Sequence, residues 1–114
     1  MARTEVDAAL ARLHEHGYLD DAAFARGLVA RRSAVRGRSA MAAELRGRGI
    51  GRQLADAALG DLDSEAEVDA AERLARRFGG GLPRDLVAAR LHRRGFGADS
   101  IRRALRRLEA PDQG

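Results

Sequence analysis

The sequence has no cysteine, no tryptophan and no lysine, and only two prolines in 114 residues. Without thiols there can be neither disulfides nor thiolate metal sites. Aromatic side chains make up 4% of the chain, which excludes a core built on large anchors. Small side chains on closely approaching helices, alanine above all, have to supply it. No apolar run nears the roughly 20 residues that a membrane-crossing helix needs, and no signal-peptide pattern opens the chain. A cytoplasmic protein with no membrane partner is the expectation. No stretch alternates polar and apolar residues with period two, so no strand is expected.

All 21 basic side chains are arginine, against 17 carboxylates, for a formal charge of +4. Alanine-rich, all-arginine usage reflects a GC-rich genome before it reflects function. It still has a physical consequence, because the guanidinium fork binds carboxylates and phosphates in two-point geometry. A chain of this length is one domain or a short array, able to bury about two-thirds of the surface its unfolded form exposes.

A six-residue unit occurs three times, as LHEHGY (Leu13, Gly17, Tyr18), LRGRGI (Leu45, Gly49, Ile50) and LHRRGF (Leu91, Gly95, Phe96). Each reads as a helix stop: glycine takes a left-handed conformation past the last turn, and the next apolar residue folds back onto the leucine five positions earlier. The spacing predicts helices over about 4–16, opened by a weak Thr4 capping box, and over 21–33, opened by the carboxylates of Asp20 and Asp21. A third is capped by Ser39 and closed by Gly49, weakened by Gly47 by about 1 kcal/mol relative to alanine. A fourth runs to near Asp63 and a fifth covers 64–78, started by a Ser64–Glu67 capping box. A sixth opens at Pro83 and closes at Gly95, and the last covers about 99–109. Gly79–Gly81 reads as a flexible connector. Tyr18, Phe24, Ile50 and Phe96 are expected to serve stability.

Gly49 and Gly95 stand 46 residues apart, and VARR at 29–32 is echoed by LARR at 74–77. The expected fold is all-α, an elongated array of three-helix repeats: two repeats plus one preceding helix. The expected organisation is a terminal helix of an incomplete first repeat over 1–19, repeats over 20–63 and 64–110, and a disordered tail over 111–114.

Charge is segregated along the chain. Residues 26–52 hold eight arginines and one carboxylate, residues 54–72 hold seven carboxylates and no arginine, and residues 73–107 hold eleven arginines and two carboxylates. A solvated set of helix faces would pair such charges locally, yet the arginines of 90–107 have only Asp85 and Asp99 near them in sequence. Such density favours an anionic partner. Single-strand binders stack bases on exposed aromatics, whereas Tyr18, Phe24, Phe78 and Phe96 fall at core or cap positions. Base reading in the major groove recruits amides beside arginine, and the last helix has none, so its loose helix-turn-helix pattern carries little weight.

Catalysis finds no support. His14 and His16 point to different helix faces and His92 is remote, so no metal trio forms. Gly79–Gly81 has neither a preceding strand nor a following Lys-Ser/Thr and is no phosphate loop. No nucleophile stands at a workable spacing from a base, and neither cofactor nor metal is expected.

GYLDDAAFARGLVARR, then MAAELRGRGI, and the closing LHRRGFGADSIRRAL resemble the RecX family, bacterial regulators of the recombinase RecA. The likeness covers nearly the whole chain; its most specific part is Gly17-Tyr18-Leu19-Asp20-Asp21 with Phe24 and Ala25. It implies an array of three-helix repeats and a non-enzymatic regulator that binds in the groove of the RecA–DNA filament and inhibits its ATPase and strand exchange. Members usually carry two further helices before the one at 4–16, so a short member or a truncated version is expected. The residues expected to face RecA and, weakly, the DNA phosphate backbone are Arg31, Arg32, Arg36, Arg38, Arg46, Arg48, Arg93, Arg94, Arg102, Arg103 and Arg106, on a monomer. The rival expectation is a helical module that binds DNA non-specifically without RecA, and a third is a scaffold that binds neither.

Overall fold

The computed structural model describes residues 2–110, with side chains described for Ala8 and from Leu19 onward. Six helices follow one another: α1 (Ala2–Arg32), α2 (Arg38–Gly47), α3 (Arg52–Gly60), α4 (Ser64–Arg77), α5 (Arg84–Arg93) and α6 (Ala98–Glu109). No strand occurs among the described residues. The molecule measures 74 × 26 × 19 Å, so the expected all-α, elongated array holds.

Two of the three glycine stops form as expected. Gly49 and Gly95 have φ of 82° and 90°. Behind them the Ile50 N–H donates to the Leu45 carbonyl at 3.0 Å, and the Phe96 N–H to the Leu91 carbonyl at 3.2 Å. These are the long-range bonds of a Schellman ending, and each apolar partner is buried with its leucine.

The stop at Gly17 does not form. α1 runs through it, and neither Thr4 nor Asp20 and Asp21 mark a helix start. The residue that would close this turn, Tyr18, lies outside the described side chains, and Leu19 beyond it is 62% exposed. An interior glycine costs only about 1 kcal/mol, which the flanking helix formers of α1 absorb. The expected Leu13–Tyr18 contact lies outside the described side chains, and the 111–114 tail outside the described residues.

The caps also differ from expectation. Asp63, not Ser64, caps α4, its Oδ1 accepting from the Ala66 N–H at 2.7 Å. α2 starts at Arg38 behind Gly37 with no local side-chain cap, so Ser39 lies inside the helix. Pro83 sits one position earlier than expected, as the residue before α5.

Two cores result. Ala25, Leu28 and Val29 of α1 pack with Met41, Leu45, Ile50 and the α3 residues Ala55, Ala58 and Leu59. Val68, Ala71 and Leu74 of α4 pack with Val87, Leu91, Phe96 and the α6 residues Ile101, Ala104 and Leu105. α2 and α5 start at Arg38 and Arg84, in the register that the glycine stops predict.

The two cores meet at a joint made of main chain. The Gly37 N–H donates to the Arg94 carbonyl at 2.9 Å, and the Ser39 N–H to the Gly95 carbonyl at 3.3 Å. Glu67 bridges the same place: its Oε1 accepts from the Arg38 N–H at 2.7 Å, and its Oε2 accepts from the Ser100 hydroxyl at 2.6 Å. The residue expected to close a capping box on its own helix thus caps a helix of the other core. A Cβ on Gly37 would overlap the Gly95 carbonyl and the Phe96 nitrogen, and one on Gly95 would overlap Ala40.

Gly37→Ala is expected to lower stability by about 1–3 kcal/mol, because backbone opposes the new methyl and no rotamer relieves it. Gly47→Ala, whose Cβ meets nothing within 4 Å, is expected to raise stability by about 0.5–1 kcal/mol. Urea unfolding followed by far-UV circular dichroism measures both; equal effects of the same sign would contradict the joint.

Candidate anion-binding surface

The acidic block between the two basic ones is used inside the molecule. Glu65, Asp69 and Glu72 lie along α4, and the α4–α6 packing presents them to Arg103 and Arg107. Arg107 reaches Asp69 at 2.6 Å, Glu65 at 2.5 Å and Glu72 at 3.4 Å, and Arg103 is bound to Glu65. The Arg107 guanidinium is held above its ordinary pKa, chiefly by the hydrogen bond to Asp69, against a smaller opposing effect of desolvation. Counting charges along the sequence left these arginines without partners; their partners lie 38 residues away on another helix.

Of the eleven arginines singled out from sequence, four have internal carboxylates. Arg32 and Arg36 share Glu44, at 3.4 and 3.5 Å. That sharing is loose: the Glu44 Oε1 is buried and has no hydrogen-bond partner. Arg102 lies 3.7 Å from Asp99, and Arg103 is held as described. Among the described residues no carboxylate lies at ion-pairing distance from Arg31, Arg38, Arg46, Arg48, Arg93, Arg94 or Arg106. Arg38 is tied to Glu67 through its main chain alone.

Three guanidiniums lie over rings. Arg48 stands 5.7 Å from the Phe24 centroid. Arg90 and Arg94 stand 5.4 and 5.9 Å from the centroid of Phe78. Arg48 and Arg94 occupy the same place in the two units, each the residue between its helix and the left-handed glycine. Arg90 was not among the sequence candidates; its spacing of four from Arg94 on one helix was the available signal.

His92 is exposed, while His14 and His16 lie outside the described side chains. Among the described residues no group of three or more potential ligands is placed to hold a metal ion. No described helix is long and apolar enough to cross a membrane.

The fold and this surface define an all-α helical-repeat protein with a surplus of unpaired arginine. A family model described as "RecX, second three-helix domain" matches residues 20–59. The regulatory protein RecX of Halorhodospira halophila (strain DSM 244 / SL1) is 37% identical over 112 residues, covering 91% of this chain and 68% of that protein. That of Stenotrophomonas maltophilia (strain R551-3) is 40% identical over 105 residues, covering 87% of this chain and 64% of the relative. A third, from Mycobacterium sp. (strain JLS), is 45% identical over 69 residues, or 59% of this chain and 38% of that protein. No solved structure gives a significant match. The chain belongs to the RecX family. It spans a little under two-thirds of the length of its Stenotrophomonas relatives.

Arg107→Gln is expected to lower the urea midpoint, and Arg106→Gln, which has no carboxylate to lose, to leave it unchanged. The difference should shrink in high salt as the α4–α6 charges are screened; equal midpoints at low salt would contradict the assignment of the acidic block.

Proposed function

We propose that the chain is a non-enzymatic regulator that binds the RecA–DNA filament through its unpaired arginines and inhibits the filament's ATPase and strand exchange. Its relatives are named regulatory proteins, and the RecX resemblance supplies RecA as the partner. We take residues 20–63 and 64–110 as its two three-helix repeats, with 1–19 as the end of an earlier one.

The observation that carries this proposal is the repeat-related placement of arginine without internal carboxylate. Arg48 and Arg94 stand at equivalent places just past the second helix of each unit, with Arg46 beside the one and Arg93 beside the other. Concentrated like charge raises the energy of the free molecule, and an acidic surface or a phosphate backbone relieves it. The joint at Gly37 and Glu67 holds both groups on one rigid piece, so both can meet a periodic partner together. Arg32, Arg36, Arg102 and Arg103 keep internal partners and contribute less, and Arg31, Arg38 and Arg106 complete the surface.

Reversing Arg46, Arg48, Arg93, Arg94 and Arg106 to Glu is expected to abolish inhibition of RecA ATPase on single-stranded DNA, with helicity unchanged by circular dichroism. Undiminished inhibition would refute the proposal. An unsubstituted chain that leaves the ATPase untouched, yet binds DNA tightly with a steep salt dependence, would favour the RecA-independent module.

A further inference from the structure

Arg90, Arg93 and Arg94 converge with Phe78 on an open niche of about 300 Å³ at the α4–α5 corner of the second unit. Phe78 is half-buried at the edge of the α4–α6 core, so its ring is a fixed support. Two guanidiniums over one ring repel each other, and the cation–π contacts offset that only in part. No described carboxylate pairs with any of the three. The niche is therefore a preformed cluster of positive charge that lacks its counter-ion.

We propose that this niche is a phosphate-binding site in which Arg90, Arg93 and Arg94 grip one phosphate group and Phe78 holds the guanidiniums in place. The choice between phosphate and carboxylate follows from geometry. A carboxylate offers two oxygens in one plane, enough for two guanidiniums, as Glu65 serves Arg103 and Arg107 with one oxygen each, but not for three converging forks. A tetrahedral phosphate offers oxygens in several directions and can accept from three forks at once. Arg90 and Arg94 already lie over the ring, so a base does not stack there. The phosphate can come from a nucleic-acid backbone or from a free nucleotide. Arg94 links the site to the joint, because its carbonyl accepts the Gly37 N–H. An occupied niche should stiffen the contact between the two units.

This proposal deepens the preceding one, but its test needs no RecA. Sodium tripolyphosphate, a fluorescent single-stranded oligonucleotide and a poly-glutamate peptide are titrated into the full chain, its Arg90→Gln/Arg94→Gln double variant and a Phe78→Leu variant. The double variant should bind the phosphate probes roughly tenfold more weakly or worse. Its salt slope on the oligonucleotide should fall by about 0.7, the contribution of one phosphate. Phe78→Leu, which keeps the apolar bulk, should weaken binding by a smaller factor. Loss confined to the oligonucleotide assigns the phosphate to a nucleic-acid strand; loss confined to tripolyphosphate assigns it to a free nucleotide. Affinities unchanged by the double substitution would overturn the site, as would poly-glutamate binding tighter than either phosphate probe and lost with the same arginines. RecA inhibition retained by a double variant that no longer binds phosphate would leave the filament proposal standing. Absence of inhibition by the parent chain would sink that proposal without touching this one.

Discussion

Everything about this molecule's surface depends on the close approach of two glycines. Gly37 and Gly95 bring the start of α2 against the α5–α6 turn so closely that a single added carbon on either would overlap main chain. Glu67 then ties α4 to both sides, accepting from the Arg38 N–H and from the Ser100 hydroxyl. A carboxylate on the first N–H of a helix satisfies a group that would otherwise have no partner and lies at the favourable end of the helix dipole. Without this joint the two cores would be beads on a chain, and their arginines would have no fixed relation.

The joint is also directional. Pro83 precedes α5 as Gly37 precedes α2. It has no N–H to donate and carries a ring where a turn would have to approach. The bond that the Gly37 N–H makes to the Arg94 carbonyl therefore has no counterpart at Pro83.

The helix pattern and its period were legible because they rest on local chemistry. Gly49 and Gly95 stop helices by backbone conformation, and Leu45–Ile50 and Leu91–Phe96 close them by adjacent apolar contact. Gly17 carries the same local signal, yet α1 runs through it: an interior glycine costs a helix only about 1 kcal/mol, so the local pattern by itself does not end one. Glu67 illustrates the opposite failure. Its position three after Ser64 fits a capping box, yet Asp63 takes the local N–H and frees Glu67 for a helix start 29 residues away. The charge map had the same weakness. The seven-carboxylate block is visible in the sequence, but only the packing of α4 on α6 decides that Arg103 and Arg107 pair with its Glu65, Asp69 and Glu72 while Arg93, Arg94 and Arg106 have no described carboxylate partner. The family was legible too, carried by GYLDDAAF and the repeated glycine turns.

The absence of cysteine makes the decisive measurement simple. Spin labels on cysteines introduced at Ala57 and Ala89, exposed positions of α3 and α5, report the distance between the two units by pulsed electron paramagnetic resonance. A rigid joint predicts one narrow distance distribution, which Glu67→Ala broadens while helicity is retained. A distribution that is broad from the start, or equally narrow with and without Glu67, would contradict it.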